Sequence, residues 1–159
     1  MDDFKHSGFE LSDQINVSLV KRCLQKGDAK LALHYCHLLL ANDPNQLDAL
    51  LLAAIAARGI GWTEEAYSHA HSATVLAPDQ PAPFSLLGDI LLVQKKPDIA
   101  LDVLLHAKTL GDCTPQALFN IGLAYLNLEK IDKAKSYFNQ ALAINPNMVE
   151  ALVNKGLVE

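Results

Sequence analysis

Pro44, Pro78, Asp112 and Pro146 stand 34 residues apart in this chain. A step of that length, met by the same residue classes at the same offsets, leaves few architectures open, because such self-similarity marks one supersecondary unit copied in series. At that step the chain falls into windows 13–46, 47–80, 81–114 and 115–148. Residues 1–12 precede them as a flexible or fold-back segment, and 149–159 follow as a terminal helix or truncated fifth repeat.

The fourth place of the windows holds Asn16, Leu50, Phe84 and Leu118; the eighth holds Val20, Ala54, Gly88 and Gly122, continued by Gly156. The eleventh holds Cys23, Ala57, Leu91 and Tyr125. Alanine recurs at the twentieth place as Ala32, Ala66, Ala100 and Ala134, and Cys36, Ala70, Leu104 and Phe138 follow at the twenty-fourth. Apolar residues at these spacings trace two amphipathic helices per window. Turn signals separate them at 25–29, 59–63, 95–98 and 128–132, with Asp28, Thr63, Asp98 and Asp132 as expected N-caps of the second helices. No segment alternates with period two, so an all-α chain is expected. A single hairpin cannot bury its stripe, and stacking hairpins into a solenoid solves that. Glycine inside a helix costs about 0.5–1 kcal/mol relative to alanine. Gly88, Gly122 and Gly156 are therefore read as points of close helix approach, with the small twentieth place as the opposing surface.

Composition narrows the function. The net charge is −5 with the two signs interspersed, where a nucleic-acid binder tracking phosphates shows a basic stripe. The longest apolar run, 49–57, is far below the roughly 20 residues a membrane helix needs. Cys23, Cys36 and Cys113 have no disulfide-framework spacing, which points to a reducing, cytoplasmic setting. Cys23 and Cys36 occupy core places, and Cys113 lies in a loop beside Asp112. No phosphate loop, nucleophile elbow or paired CxxC is present, so neither an enzyme nor a cofactor is expected.

With period and residue class agreeing over four windows, the chain resembles the tetratricopeptide repeat (TPR) family across residues 13–159. Residues 117–146, ALFNIGLAYLNLEKIDKAKSYFNQALAINP, match its pattern at every key place. Window one departs at Asn16, and window three ends without the terminal proline. The resemblance implies a right-handed superhelical solenoid of four repeats whose first helices line a concave groove. On that frame the groove carries Lys21, Leu51, Leu52, Ile55 and Arg58, then Ser85, Leu86 and Asp89, and finally Phe119, Asn120, Leu123 and Asn154. Largely apolar and not needed for the repeat pattern, this face implies a non-enzymatic module binding a peptide or helix of a partner protein.

The carboxylate clamp of chaperone-tail-binding TPR domains is absent, since Val17, Ala82 and Leu86, or Leu51, Gln116 and Asn120, fill its cationic places. Asn120 and Asn154 match the asparagine ladder of O-linked N-acetylglucosamine transferase at the sixth place, whereas Ser18, Leu52 and Leu86 depart from it. Two other roles are open: the TPR arm of a larger enzyme such as a sulfotransferase or glycosyltransferase, or a secretion-type chaperone. The apolar end at Leu152, Val153, Leu157 and Val158 suits pairing with a second copy. Among the histidines, His34 and His37 are three apart, His71 falls one repeat after His37, and His69 and His106 lie on neighbouring second helices. No third ligand is fixed for any such pair, so metal binding is not expected.

Overall fold

The computed structural model describes residues 15–158, and within them every regular element is an α-helix. In chain order these are α1 (Val17–Gln25), α2 (Ala29–Asn42), α3 (Leu47–Gly59), α4 (Thr63–Leu76), α5 (Pro81–Val93), α6 (Pro97–Thr109), α7 (Pro115–Asn127), α8 (Ile131–Ile144) and α9 (Val149–Leu157). Helix starts repeat at the step of the sequence: α3, α5, α7 and α9 open at 47, 81, 115 and 149, and α2, α4, α6 and α8 at 29, 63, 97 and 131. The fold is an all-α helical repeat. Among the described residues no helix is long and apolar enough to cross a membrane. The readings placed on residues 1–12, including a fold-back onto the groove, lie outside the described residues.

The helices form two compact units, one running to Leu76 and the other beginning at Ala77. In the first, α1 packs on α2, α2 on α3 and α3 on α4, with α1 also touching α3. Its core is rich in small residues, with Ala32, Ala53, Ala57, Ala66 and Ala70 fully buried beside Val20, Leu33 and Leu50. In the second, α5–α6, α7–α8 and α8–α9 pack as neighbours, and α7 touches both α5 and α6. Larger side chains fill this core, led by Phe138, Ile90, Leu91, Leu104 and Ile121. The outer residues Leu152, Val153 and Leu157 of α9 remain exposed.

Each hairpin turn repeats one backbone device. Gly27, Gly61, Lys95 and Glu129, again 34 apart, all have positive φ, at 79°, 83°, 58° and 58°. Each sits where a first helix ends, and the next amide bonds back to the eleventh place: Asp28 to Cys23, Trp62 to Ala57, Lys96 to Leu91 and Lys130 to Tyr125. This left-handed closure satisfies helix-end carbonyls and suits glycine. The third and fourth hairpins adopt it with lysine and glutamate.

Three sequence expectations change here. Gly88 and Gly122 do mark close approach, but the opposing residue is at the twenty-fourth place, not the alanine at the twentieth. A Cβ on Gly122 would meet the Phe138 ring at 2.5–2.7 Å, one on Gly88 would run into the Leu104 side chain, and one on Gly156 would meet nothing within 4 Å. Asp28 is an N-cap, its carboxylate accepting from the Leu31 amide at 3.1 Å. Thr63, Asp98 and Asp132 are not, because each already lies inside its helix: α4 begins at Thr63, and α6 and α8 begin at Pro97 and Ile131 with Lys96 and Lys130 as caps; the two carboxylates lie in the first turn, favourable to the helix dipole. Asn16, where the repeat pattern has a large apolar residue, is itself the N-cap of α1 and accepts from the Leu19 amide at 3.0 Å.

Candidate functional site

In the second unit, where α5 and α7 touch, polar side chains from both helices gather around one cleft. The cause is the loop after α6. That helix ends at Thr109, Gly111 turns the chain with φ of 105°, and Asp112 stands where the other windows have proline. Without a proline ring, the position carries a carboxylate that ties loop and helices together. Asp112 accepts from the Ser85 hydroxyl of α5 through one oxygen. Its other oxygen accepts from the Thr114 hydroxyl at 2.7 Å and the Thr114 amide at 3.1 Å. Thr114 Oγ1 in turn caps α7 by accepting from the Ala117 amide at 3.2 Å. Partial burial pushes the Asp112 carboxyl pKa up, but the hydrogen bonds from Ser85 and Thr114 outweigh it and hold the pKa below its ordinary value.

Beside this tie lies a cleft of about 280 Å³. From α5 it is lined by Ala82, Ser85, Leu86 and Asp89, from α7 by Gln116, Ala117 and Asn120, and from the loop between α6 and α7 by Asp112 and Thr114. Asn120 is buried, and its Oδ1 accepts from Gln116 Nε2 at 3.0 Å. Its position in an apolar helix is thus that of a polar group supported from one turn below. The cleft lining holds two carboxylates, two hydroxyls and two amides together with Leu86, and no cationic side chain among its described lining residues.

Four of the twelve groove residues expected from sequence, Ser85, Leu86, Asp89 and Asn120, come together here. The others do not. Phe119 is 6 % exposed because its ring packs against Phe138, with centroids 5.7 Å apart, so it belongs to the hairpin core and not to a groove surface. Leu52 is buried at 8 % in the first unit, where Leu51 and Arg58 are half-buried and Lys21 and Ile55 exposed. Leu123 is half-buried outside the cleft. Asn154 also lies outside it and turns its amide onto its own helix, donating to the Glu150 carbonyl at 2.8 Å. Asp112, Thr114 and Gln116 were missed as site residues. The signal for the first was its place in the proline series.

Cysteines sit as their places indicate: Cys23 and Cys36 buried, Cys113 exposed, all free. Burial pushes the Cys36 thiol up to about 12. The histidines pair differently from the sequence reading. His71 stacks on Tyr67, and His106 meets the Phe84 ring edge-on at 4.6 Å. His37 instead faces Glu65 and His69 of α4. Burial lowers the His69 pKa, opposed by the Glu65 carboxylate and reinforced by His37.

Residues 115–148, the hairpin of α7 and α8, match the family model of the tetratricopeptide repeat. Photosystem I assembly protein Ycf3 of Acaryochloris marina (strain MBIC 11017) is 44% identical over 41 residues, which are 26% of this chain and 25% of that protein. Protein O-mannosyl-transferase TMTC3 of Homo sapiens is 29% identical over 117 residues, 72% of this chain but 13% of the transferase. The chain thus spans a quarter or less of the length of these curated relatives. Among solved structures, YrrB, described as a TPR protein with an unusual peptide-binding site, superposes with a TM-score of 0.72 at 22% identity, over 89% of this chain and 73% of YrrB. At that identity the likeness is one of fold.

Proposed function

We propose that this chain, whose residues 115–148 match the tetratricopeptide repeat, is a non-enzymatic protein-interaction module whose α5–α7 cleft holds an extended segment of a partner protein. The observation that supports this is the convergence of Ser85, Leu86, Asp89 and Asn120 from two helices on one cleft, backed by the Asp112–Thr114 tie. Leu86 supplies an apolar contact; burying one such side chain contributes about 1.5–3 kcal/mol. Asn120 and Gln116, with amide groups that both donate and accept, suit a peptide backbone.

The test uses the full chain with a photo-crosslinking side chain at position 86 and a control at position 102, exposed on α6. A protein caught only from position 86 is then purified and titrated against the wild-type, Leu86→Arg and Gln116→Ala chains. An affinity loss of about tenfold in Leu86→Arg, equivalent to about 1.4 kcal/mol, is expected. Affinities within twofold of wild type in both variants refute the cleft as the binding surface.

A further inference from the structure

His37, Glu65 and His69 form the one cluster of potential metal ligands found among the described residues. His37 comes from α2, while Glu65 and His69 are one turn apart on α4, so two helices from successive hairpins supply the three groups. His37 Nε2 lies 2.7 Å from Glu65 Oε1, and His69 Nε2 lies 3.6 Å from the same oxygen. All the ligand atoms fall within 4.8 Å of one another, and the two imidazole rings are 5.9 Å apart between centroids.

We infer that His37, Glu65 and His69 form a binding site for one divalent transition-metal ion, zinc or a chemically similar cation, which bridges α2 and α4. Ligands at about 2.0–2.1 Å around a tetrahedral ion are separated from one another by about 3.3 Å, and the observed separations bracket that edge. The adjustment required falls to side chains free to make it, since His37 is 46% exposed and Glu65 30%. Two imidazoles and one carboxylate are a borderline N/O set, which selects zinc, cobalt, nickel or copper over calcium and magnesium. The site is open to solvent, so water completes the coordination.

Repeat packing does not demand this trio. One step of 34 further on, the same places hold His71, Ile99 and Val103, and the next step gives Leu105, Lys133 and Tyr137. The ligand set therefore occurs once, at one junction between hairpins, laid over places whose other occupants are mostly apolar. Metal binding there replaces the direct His37–Glu65 contact between α2 and α4 with a coordinated cross-link.

The experiment is calorimetric titration of the full, untagged, metal-stripped chain with zinc chloride, with cobalt(II) absorption as a second readout. One zinc ion per chain is expected at micromolar concentrations or below, together with the intense visible absorption of four-coordinate cobalt. His37→Ala and Glu65→Gln, both at solvent-accessible positions, should each weaken zinc at least tenfold, whereas His71→Ala and His106→Ala leave it unchanged. Circular dichroism confirms that each variant keeps its helices. No saturable zinc uptake by the wild-type chain, or equal affinity in the wild-type, His37→Ala and Glu65→Gln chains, overturns the site.

Discussion

Gly122→Ala separates close packing from helix propensity, because the two effects have opposite signs at this position. The new Cβ would lie 2.5 Å from Phe138 Cε1 and 2.7 Å from Cδ1, where a carbon–carbon contact needs about 3.5–4.0 Å. The phenyl ring has nowhere to go, since Phe138 is fully buried and already packs on Phe119. Overpacking of this kind costs about 1–3 kcal/mol, against which alanine gains about 0.5–1 kcal/mol in helix propensity. The expected net loss is at most about 2.5 kcal/mol with a midpoint near 1 kcal/mol, and each kcal/mol lowers the thermal midpoint by about 2–4 °C in a chain of this size. Gly156→Ala is the matched control: the same place of the repeat, with nothing within 4 Å of the added methyl. It should be neutral or stabilising by about 0.5 kcal/mol. Urea and thermal unfolding of both variants, followed by circular dichroism, read the difference. A second cycle with Phe138→Leu should recover about 1 kcal/mol of the Gly122→Ala loss as a coupling term. If Gly122→Ala stabilises the chain as Gly156→Ala does, or adds to Phe138→Leu with no coupling, the close-approach explanation is wrong.

The turn place makes a second prediction by sign. Gly61→Ala, at φ of 83°, should destabilise by about 1 kcal/mol, whereas Lys95→Gly and Glu129→Gly, at φ of 58°, should be neutral or stabilising in the same unfolding assay. Asp112→Ala removes three hydrogen bonds to a part-buried carboxylate and should cost about 1–2 kcal/mol while weakening partner binding at the cleft. The Asp112 pKa is lower folded than unfolded, so its contribution is fully present above the ordinary carboxyl value of 3.8 and lost as the pH falls through the folded pKa. Wild type should therefore lose more stability than Asp112→Asn on titration from pH 5 into that acid range. With a thiol-alkylating reagent at neutral pH, Cys113 should react alone; Cys36, its thiol pushed up to about 12, should label only as the chain unfolds, as read by intact mass.

Much of the fold was legible because the 34-residue step constrains every window at once. The two helices of each window, the turns between them and the close approach at Gly88 and Gly122 follow from residue classes that recur. What was misread turns on angles finer than a residue class. At the fifth place of the first helix, Phe119 lies at the margin between groove and core, and the Phe138 ring across the hairpin draws it into the core. Asp98 and Asp132 stand one residue inside their helices, since Pro97 and Ile131 already hold helical geometry. Contacts among distant side chains had no sequence signal. The approach of His37 to Glu65 depends on how α2 and α4 face one another, which the i,i+3 spacing of His34 and His37 does not report. Likewise Asp112 stood out as a missing proline, but its bonds to Ser85 and Thr114 required the loop to fold first.

In a chain built by repetition, recurrence and departure carry different information. A residue class that returns every 34 positions is answering a demand that every hairpin makes: a close helix crossing, a left-handed turn, a filled stripe. Such a residue says nothing about a ligand, because the same demand exists in hairpins with different ligands or none. Asp112 breaks the proline series and lines a cleft, and His37, Glu65 and His69 meet at one hairpin junction without a counterpart at the next. Asn120 carries a buried amide where Leu52 and Leu86 place hydrocarbon. Departures of this kind have costs that packing does not repay, a polar group desolvated or a charge held near a core. The same reasoning clears Lys95 and Glu129. They depart from glycine, yet their backbone keeps the shared left-handed geometry, so the turn survives unchanged and only its cost differs. A departure points to function when it changes which groups meet, and Asp112 and the His37–Glu65–His69 trio both do so.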